Sequence, residues 1–263
     1  MTLFTLNVPI CTLLVSLFTN AVAIPAKQVK VKPPAFFLAG DSTTAVQATN
    51  GGGWGNGFLN TTLHNGATGK NFGHNGATTV SFRAGGDWAN VLSAATAAVP
   101  KFTPYVTIQF GHNDQKPEKN ISMAQLTDNL VAFVNEVRAV SATPILVTSL
   151  SRRRFDNATG LVTENLADVT AAAKDAAKKS GAKIIDLNAA STKYLNAIGA
   201  ANAATYNLAP ADFTHLNNEG SVVFGNLVAL LISEQLPELK KWVKAEKGIS
   251  KALKKGQYVF PEL

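Results

Sequence analysis

The sequence predicts an α/β domain built on one parallel sheet, and three observations lead there. Short apolar or β-branched runs alternate with longer segments of helical spacing, as expected when each strand is followed by a helix that crosses back over the sheet. Five such runs occur, enough for one sheet with helices on both faces. The chain has 263 residues, 46% hydrophobic and only 16% charged, with no internal repeat or long linker, so a single sizeable core is expected.

The elements follow in chain order. "AFFLAG" (35–40) is a short apolar strand, and the Gly/Asn-rich loop "TNGGGWGNGF" leads into a helix running through Leu63. "KNFG" (70–73) is a second short strand. "GDWANVLSAATAAV" has helical spacing, and "YVTIQF" (105–110), β-branched and aromatic, is a strand. "SMAQLTDNLVAFVNEVRAV" is an amphipathic helix that Ser122 can cap. "PILVTSL" (144–150) is a strand, "ENLADVTAAAKDAAKKSG" a helix stopped by Gly181, "AKIIDL" (182–187) a strand, and "NNEGSVVFGNLVALLISEQL" the final helix. Open α/β sheets bind ligands beyond the carboxyl ends of their strands, so the chemistry is expected just after Ala39, Phe72, Phe110, Leu150 and Leu187.

The first 23 residues read differently. Their apolar run ends in Ala21-Val22-Ala23, a small-x-small pattern that fits a secretory signal peptide cut after Ala23. The n-region carries no Lys or Arg, and the competing reading is an N-terminal membrane anchor. Asn7, Pro9 and Asn20 interrupt the run, which is short for a span. Residues 24–34, rich in Pro and Lys, form a leader, and 35–263 a single domain with a basic C-terminal tail. Cys11, the only cysteine, lies in the signal segment, so the mature chain is expected to have no disulfide, thiol nucleophile or cysteine metal site. Sequons at Asn60, Asn120 and Asn157 agree with export. The expectation is a secreted, monomeric glycoprotein, free of the membrane after cleavage.

The net charge is +7, much of it in Lys27, Lys30 and Lys32, in Arg152-Arg153-Arg154 and in the tail "LKKWVKAEKGISKALKK". Such a chain is attracted to anionic polymers, although each cluster also reads as solvated surface. No nucleic-acid-binding motif appears. Metal catalysis finds no His-Glu-x-x-His, and no cofactor is expected. A Gly-x-Ser-x-Gly elbow is absent, and Ser180-Gly-Ala-Lys183 lacks the companion motifs of the penicillin-binding pattern.

Four polar motifs stand where a site is expected: Gly40-Asp41-Ser42, "GHNGATTVSF" (73–82), "GHND" (111–114) and Asp212-Phe-Thr-His215. A serine hydroxyl is a poor nucleophile unless a neutral imidazole takes its proton and a carboxylate orients the imidazole. Asp212 and His215 are three residues apart, so one turn can bring the carboxylate to one ring nitrogen and leave the other facing Ser42. An oxyanion needs rigid donors. Gly76 offers a backbone N–H with no side chain in the way, Asn113 a side-chain N–H, and Ser42 its own backbone N–H. Plainer readings stand beside these. Ser42 can cap a helix, Asn113-Asp114 can make a turn, Gly76 can serve only to reach φ > 0, and His215 can be a surface histidine. His64, His74 and His112 have no matching role and read as structural or substrate-facing.

These blocks resemble those of the GDSL, or SGNH, hydrolases. Within them, "FLAGDSTTA", "WGNGF", "NGATTVSF", "VTIQFGHNDQKP" and "DFTHLNNEGS" are similar to the secreted rhamnogalacturonan acetylesterases, from about Phe36 to Leu231. The resemblance implies a flavodoxin-like three-layer α/β/α sandwich and metal-free ester hydrolysis. It implies Ser42 as nucleophile, Asp212 and His215 as the rest of the triad, and Gly76 and Asn113 as oxyanion donors beside the Ser42 amide. It also implies an acetylated, anionic polysaccharide as the partner. The chain departs in the second block, where that branch usually has an arginine after the glycine and this sequence has Ala77. Two rivals remain: a lipolytic or broad small-ester hydrolase, and a catalytically inactive carbohydrate-binding protein on the same scaffold.

Overall fold

The computed structural model describes residues 1–4 and 31–263. The signal-peptide reading, its cleavage after Ala23, Cys11 and most of the 24–34 leader lie outside the described residues. The chain divides into two compact units, Met1–Val31 and Lys32–Leu263. In the first, residues 1–4 and Val31 are exposed. The second holds the whole sheet.

That unit runs β1 (Pro34–Gly40), α1 (Gly55–Thr61), β2 (Thr68–Asn71), α2 (Thr79–Ala84), α3 (Asp87–Ala98), β3 (Thr103–Gln109), α4 (Met123–Ala139), β4 (Thr143–Val147), α5 (Ala167–Ser180), β5 (Lys183–Ile185), α6 (Leu187–Ala204), α7 (Asn218–Gln235) and α8 (Lys247–Lys255). The five strands form one all-parallel sheet in the order β2-β1-β3-β4-β5. This is the flavodoxin-like order, with the switch point between β1 and β3.

β1 is buried along its whole length, so its alternate residues supply both cores. Phe36 and Leu38 pack with Phe58 of α1, Leu195 of α6, Phe224 of α7 and Leu253 of α8. Ala35, Phe37 and Ala39 join Phe82 of α2, Trp88 of α3, Phe133 of α4 and Val169 of α5. The result is the expected three-layer α/β/α arrangement. Ser122 caps α4 by accepting the Gln125 amide at 3.1 Å, and Gly181 closes α5 with φ 64°.

The structure differs from the sequence reading in places. β2 lies two residues earlier than expected. It is an edge strand with only partial burial, so apolar content marks it poorly. α1 stops at Thr61 rather than Leu63, where the chain turns into an isolated bridge between Leu63 and Val243. Residues 188–204, for which the sequence suggests no element, belong to α6. The basic tail contains α8, which buries Ile249, Ala252 and Leu253. Among the described residues no helix is long and apolar enough to cross a membrane.

Candidate active site

Ser42 begins the turn that leaves β1. The Asp41 carbonyl accepts the amides of Thr44 and Ala45 at 3.0 and 3.1 Å, which fixes the turn. The Asp41 carboxylate folds back on it, and Oδ1 accepts the Thr43 amide at 2.9 Å and the Thr43 hydroxyl at 2.7 Å. Below, the buried Gln109 at the end of β3 donates to Thr43 Oγ1 at 2.9 Å and accepts from Thr44 Oγ1 at 3.0 Å and from Trp54 Nε1. Ser42 is thus held at the switch point, at the carboxyl end of β1, and is only 4% exposed.

His215 reaches Ser42 from the loop before α7. Its Nε2 lies 2.8 Å from Ser42 Oγ, and its Nδ1 lies 2.8 Å from Asp212 Oδ2. Asp212 Oδ1 accepts the amides of Thr214 at 3.0 Å and His215 at 2.9 Å, so the carboxylate shapes the loop while one oxygen faces the ring. Burial pushes the Asp212 pKa up, but the His215 and Thr214 amides and the imidazole outweigh it and hold the group below the ordinary carboxylate range.

Three further residues join these two loops. Gly52 donates to the Ser42 carbonyl at 3.1 Å and accepts the Leu216 amide at 2.8 Å, so one residue ties the serine turn to the histidine loop. Gly52 has φ 153°, and a Cβ there would sit 2.7 Å from the Leu216 carbonyl. Asn207 and Leu216 close the base of the loop as an isolated bridge. Arg153, only 2% exposed, braces it from beneath. Its amide donates to the Phe213 carbonyl at 2.8 Å, its Nε to Asn207 Oδ1 at 2.6 Å and its Nη2 to the His215 carbonyl at 2.6 Å. Burial lowers the Arg153 pKa to about 9, with Asp212 opposing that. The arginine triplet is therefore not uniformly a solvated cluster. An arginine triplet just after a strand was its only signal in the sequence.

Gly76 lies in a tight turn at φ 76°, with nothing near the position a Cβ would take. Asn113, 5% exposed, donates through Nδ2 to the Ala77 carbonyl at 3.0 Å, which ties the two oxyanion candidates together. Asp114 beside it accepts the amide and hydroxyl of Thr79 at 2.8 and 2.7 Å, anchoring the start of α2. The structure thus gathers Ser42, Asp212 and His215 into one relay and joins Gly76 to Asn113 through the following residue.

The other histidines fall outside this relay. His74 pairs with Asp87 at 2.7 Å. His64 donates its amide to the Trp242 carbonyl at 2.8 Å. His112 is buried beside Asp41 with Nδ1 3.8 Å from Oδ2, and neither ring nitrogen has a hydrogen-bond partner among the described residues. Burial, with Arg152 and His215 nearby, lowers its pKa to about 3, so the ring is neutral.

A hydroxyl, an imidazole and a carboxylate in series suit attack on an acyl carbon, and the sheet edge that carries them is that of an α/β carboxylic ester hydrolase. The chain belongs to the GDSL-like lipase/acylhydrolase family, whose model matches residues 38–223. It is 31% identical over 232 residues to the rhamnogalacturonan acetylesterase RhgT of Bacillus subtilis, covering 82% of this chain and 97% of that one. It is 28% identical over 207 residues to the probable rhamnogalacturonan acetylesterase YesY of the same organism, covering 75% and 92%. Among solved structures, the protein YXIM of Bacillus subtilis superposes with a TM-score of 0.67 at 22% identity, over 78% of this chain and 57% of that one. The acetylxylan esterase of Geobacillus stearothermophilus superposes with a TM-score of 0.55 at 17% identity, over 80% and 96%. These two likenesses concern the fold.

Proposed function

We propose that this protein is an exported serine esterase that removes acetyl groups from plant cell-wall polysaccharide, with rhamnogalacturonan as its substrate. The observation that carries the reading is the relay itself, Asp212 to His215 to Ser42 through two 2.8 Å contacts. The acetylesterase names of the two relatives support the substrate class.

In this reading His215 Nε2 takes the Ser42 proton as Oγ bonds to the acetyl carbon. Asp212 holds the ring so that Nδ1–H faces the carboxylate and stabilises the imidazolium. The Ser42 and Gly76 amides and Asn113 Nδ2 receive the negative charge on the carbonyl oxygen. The intermediate collapses by breaking the carbon–oxygen bond to the sugar, and His215 passes its proton to the sugar oxygen. Water then attacks acetyl-Ser42, giving its proton to His215. Acetate departs and Ser42 regains its proton.

The test is acetate release from acetylated pectin, xylan and chitin, with Ser42→Ala as control. Release from pectin above the other two, abolished in the variant, is expected. Release from xylan or chitin alone would overturn the substrate, and undiminished release by the variant would overturn the mechanism.

A further inference from the structure

We propose that Arg152 and Arg154 form a carboxylate-binding subsite beside Ser42 and His215, so that the cleft selects an acetylated sugar bearing a negative charge. The inference rests on the polysaccharide acetylesterase reading above and specifies which sugar that cleft takes.

The two arginines share with Asp212 and His215 a cavity of about 580 Å³. In an extended stretch side chains alternate, and the triplet after β4 obeys this pattern. Arg153 turns inward beneath the histidine loop, while Arg152 and Arg154 line the cleft. Neither of the two has a carboxylate within ion-pair distance among the described residues. The acidic groups nearest the site are already engaged, Asp212 by His215 and two amides, and Asp41 by Thr43.

Each arginine also shows a feature that favours an anion. Arg152 is partly buried, and its Nε is buried with no hydrogen-bond partner. The cation is therefore partly desolvated, and an anion meeting its terminal nitrogens from the cleft would offset part of that cost. Arg154 is exposed but lies over the Phe213 ring at 5.8 Å, within the same histidine loop. Stacking of this kind orients the planar fork while leaving its edge donors free. Two guanidinium forks in one cleft match the geometry of a carboxylate and not that of a neutral hydroxyl. In a galacturonate residue the carboxylate and the acetylated hydroxyls belong to one ring. The charge must therefore be bound within a sugar's width of the reacting ester, and His215, which touches Ser42 at 2.8 Å, lines the same cavity as the two arginines.

The experiment compares kcat/KM on acetylated oligogalacturonate with kcat/KM on the same oligomer after methyl esterification of its carboxyls. The readout is the ratio of the two within each protein. Wild type is expected to favour the free acid. Arg154→Gln, at an exposed position, is expected to lower the ratio about tenfold, and Arg152→Gln with Arg154→Gln to bring it close to one. A ratio unchanged in Arg154→Gln and in the double variant would overturn the subsite while leaving the esterase reading intact. Equal losses on both oligomers would assign the arginines to general sugar contact and overturn it too. A wild type that deacetylates xylan but neither oligomer would overturn the substrate reading first, and the subsite with it.

Discussion

Two carboxylates flank the serine and the histidine, and their surroundings push them in opposite directions. Burial drives the Asp41 pKa up to about 6 even though the Thr43 amide and hydroxyl pull it down. Asp212 lies below its ordinary range, because the amides and imidazole that touch it outweigh its burial. The signs follow from linkage. Asp41 contributes stability that is fully present below the unfolded carboxylate pKa of about 3.9 and is lost as pH rises through about 6. Asp212 contributes stability that is present above that unfolded value and is lost as pH falls through its own lower one. Asp41→Asn keeps an oxygen for Thr43 and cannot ionise, and both proteins share Asp212. Chemical denaturation across about pH 4 to 7 should therefore show the variant gaining on wild type with rising pH, by on the order of 3 kcal/mol. A constant difference across that range would show that Asp41 ionises freely in the folded protein. Ser42, Gly76 and Asn113 were legible in the sequence because they follow strands, and Asp212 and His215 because their three-residue spacing lets one turn of chain bring carboxylate to ring. Gln109, Gly52 and Arg153 were not. Their partners are remote in sequence, and nothing in their neighbouring residues announces a contact that only the fold creates.

The strands with buried apolar runs were plain in the sequence, as were α4, α5 and α7. α6 was not, because it is rich in Ala and Asn and is broken at Gly199, where φ is 77° and ψ 167°. α8 was hidden by its lysines, although Ile249, Ala252 and Leu253 follow the i, i+3, i+4 spacing of a buried stripe. Asp212 and His215 are carried by the loop from Tyr206 to Asn217. It has no regular structure of its own and is held by Gly52 on one side and Arg153 on the other. Gly52→Ala places a methyl group against the Leu216 carbonyl at a φ that L-residues avoid. It should cost about 1 to 3 kcal/mol and lower kcat more than it raises KM. Arg153→Lys keeps the charge but loses the fork that reaches Asn207 and His215 together. It should lower kcat on a small aryl acetate with little change in KM, and a fall confined to thermal stability would show that Arg153 supports the fold alone.

At the scale of the whole molecule, the sheet brings together groups that the chain keeps far apart. Ser42 follows the first strand, while Asp212 and His215 precede the α7 helix, 173 residues separating the serine from the histidine it touches. The switch point between β1 and β3 opens the crevice at which the serine turn and the Asn113 turn emerge side by side. Such a relay works as one unit, because a serine without its base, or a base without its serine, retains little of the effect. The most direct test is therefore kcat on an aryl acetate for Ser42→Ala, His215→Ala and the double variant, each checked for a native fold by circular dichroism. Each single change is expected to lower kcat by roughly 10³-fold or more, and the double change by no more than either alone. Near-normal turnover in either single variant, or losses that multiply in the double, would contradict the relay.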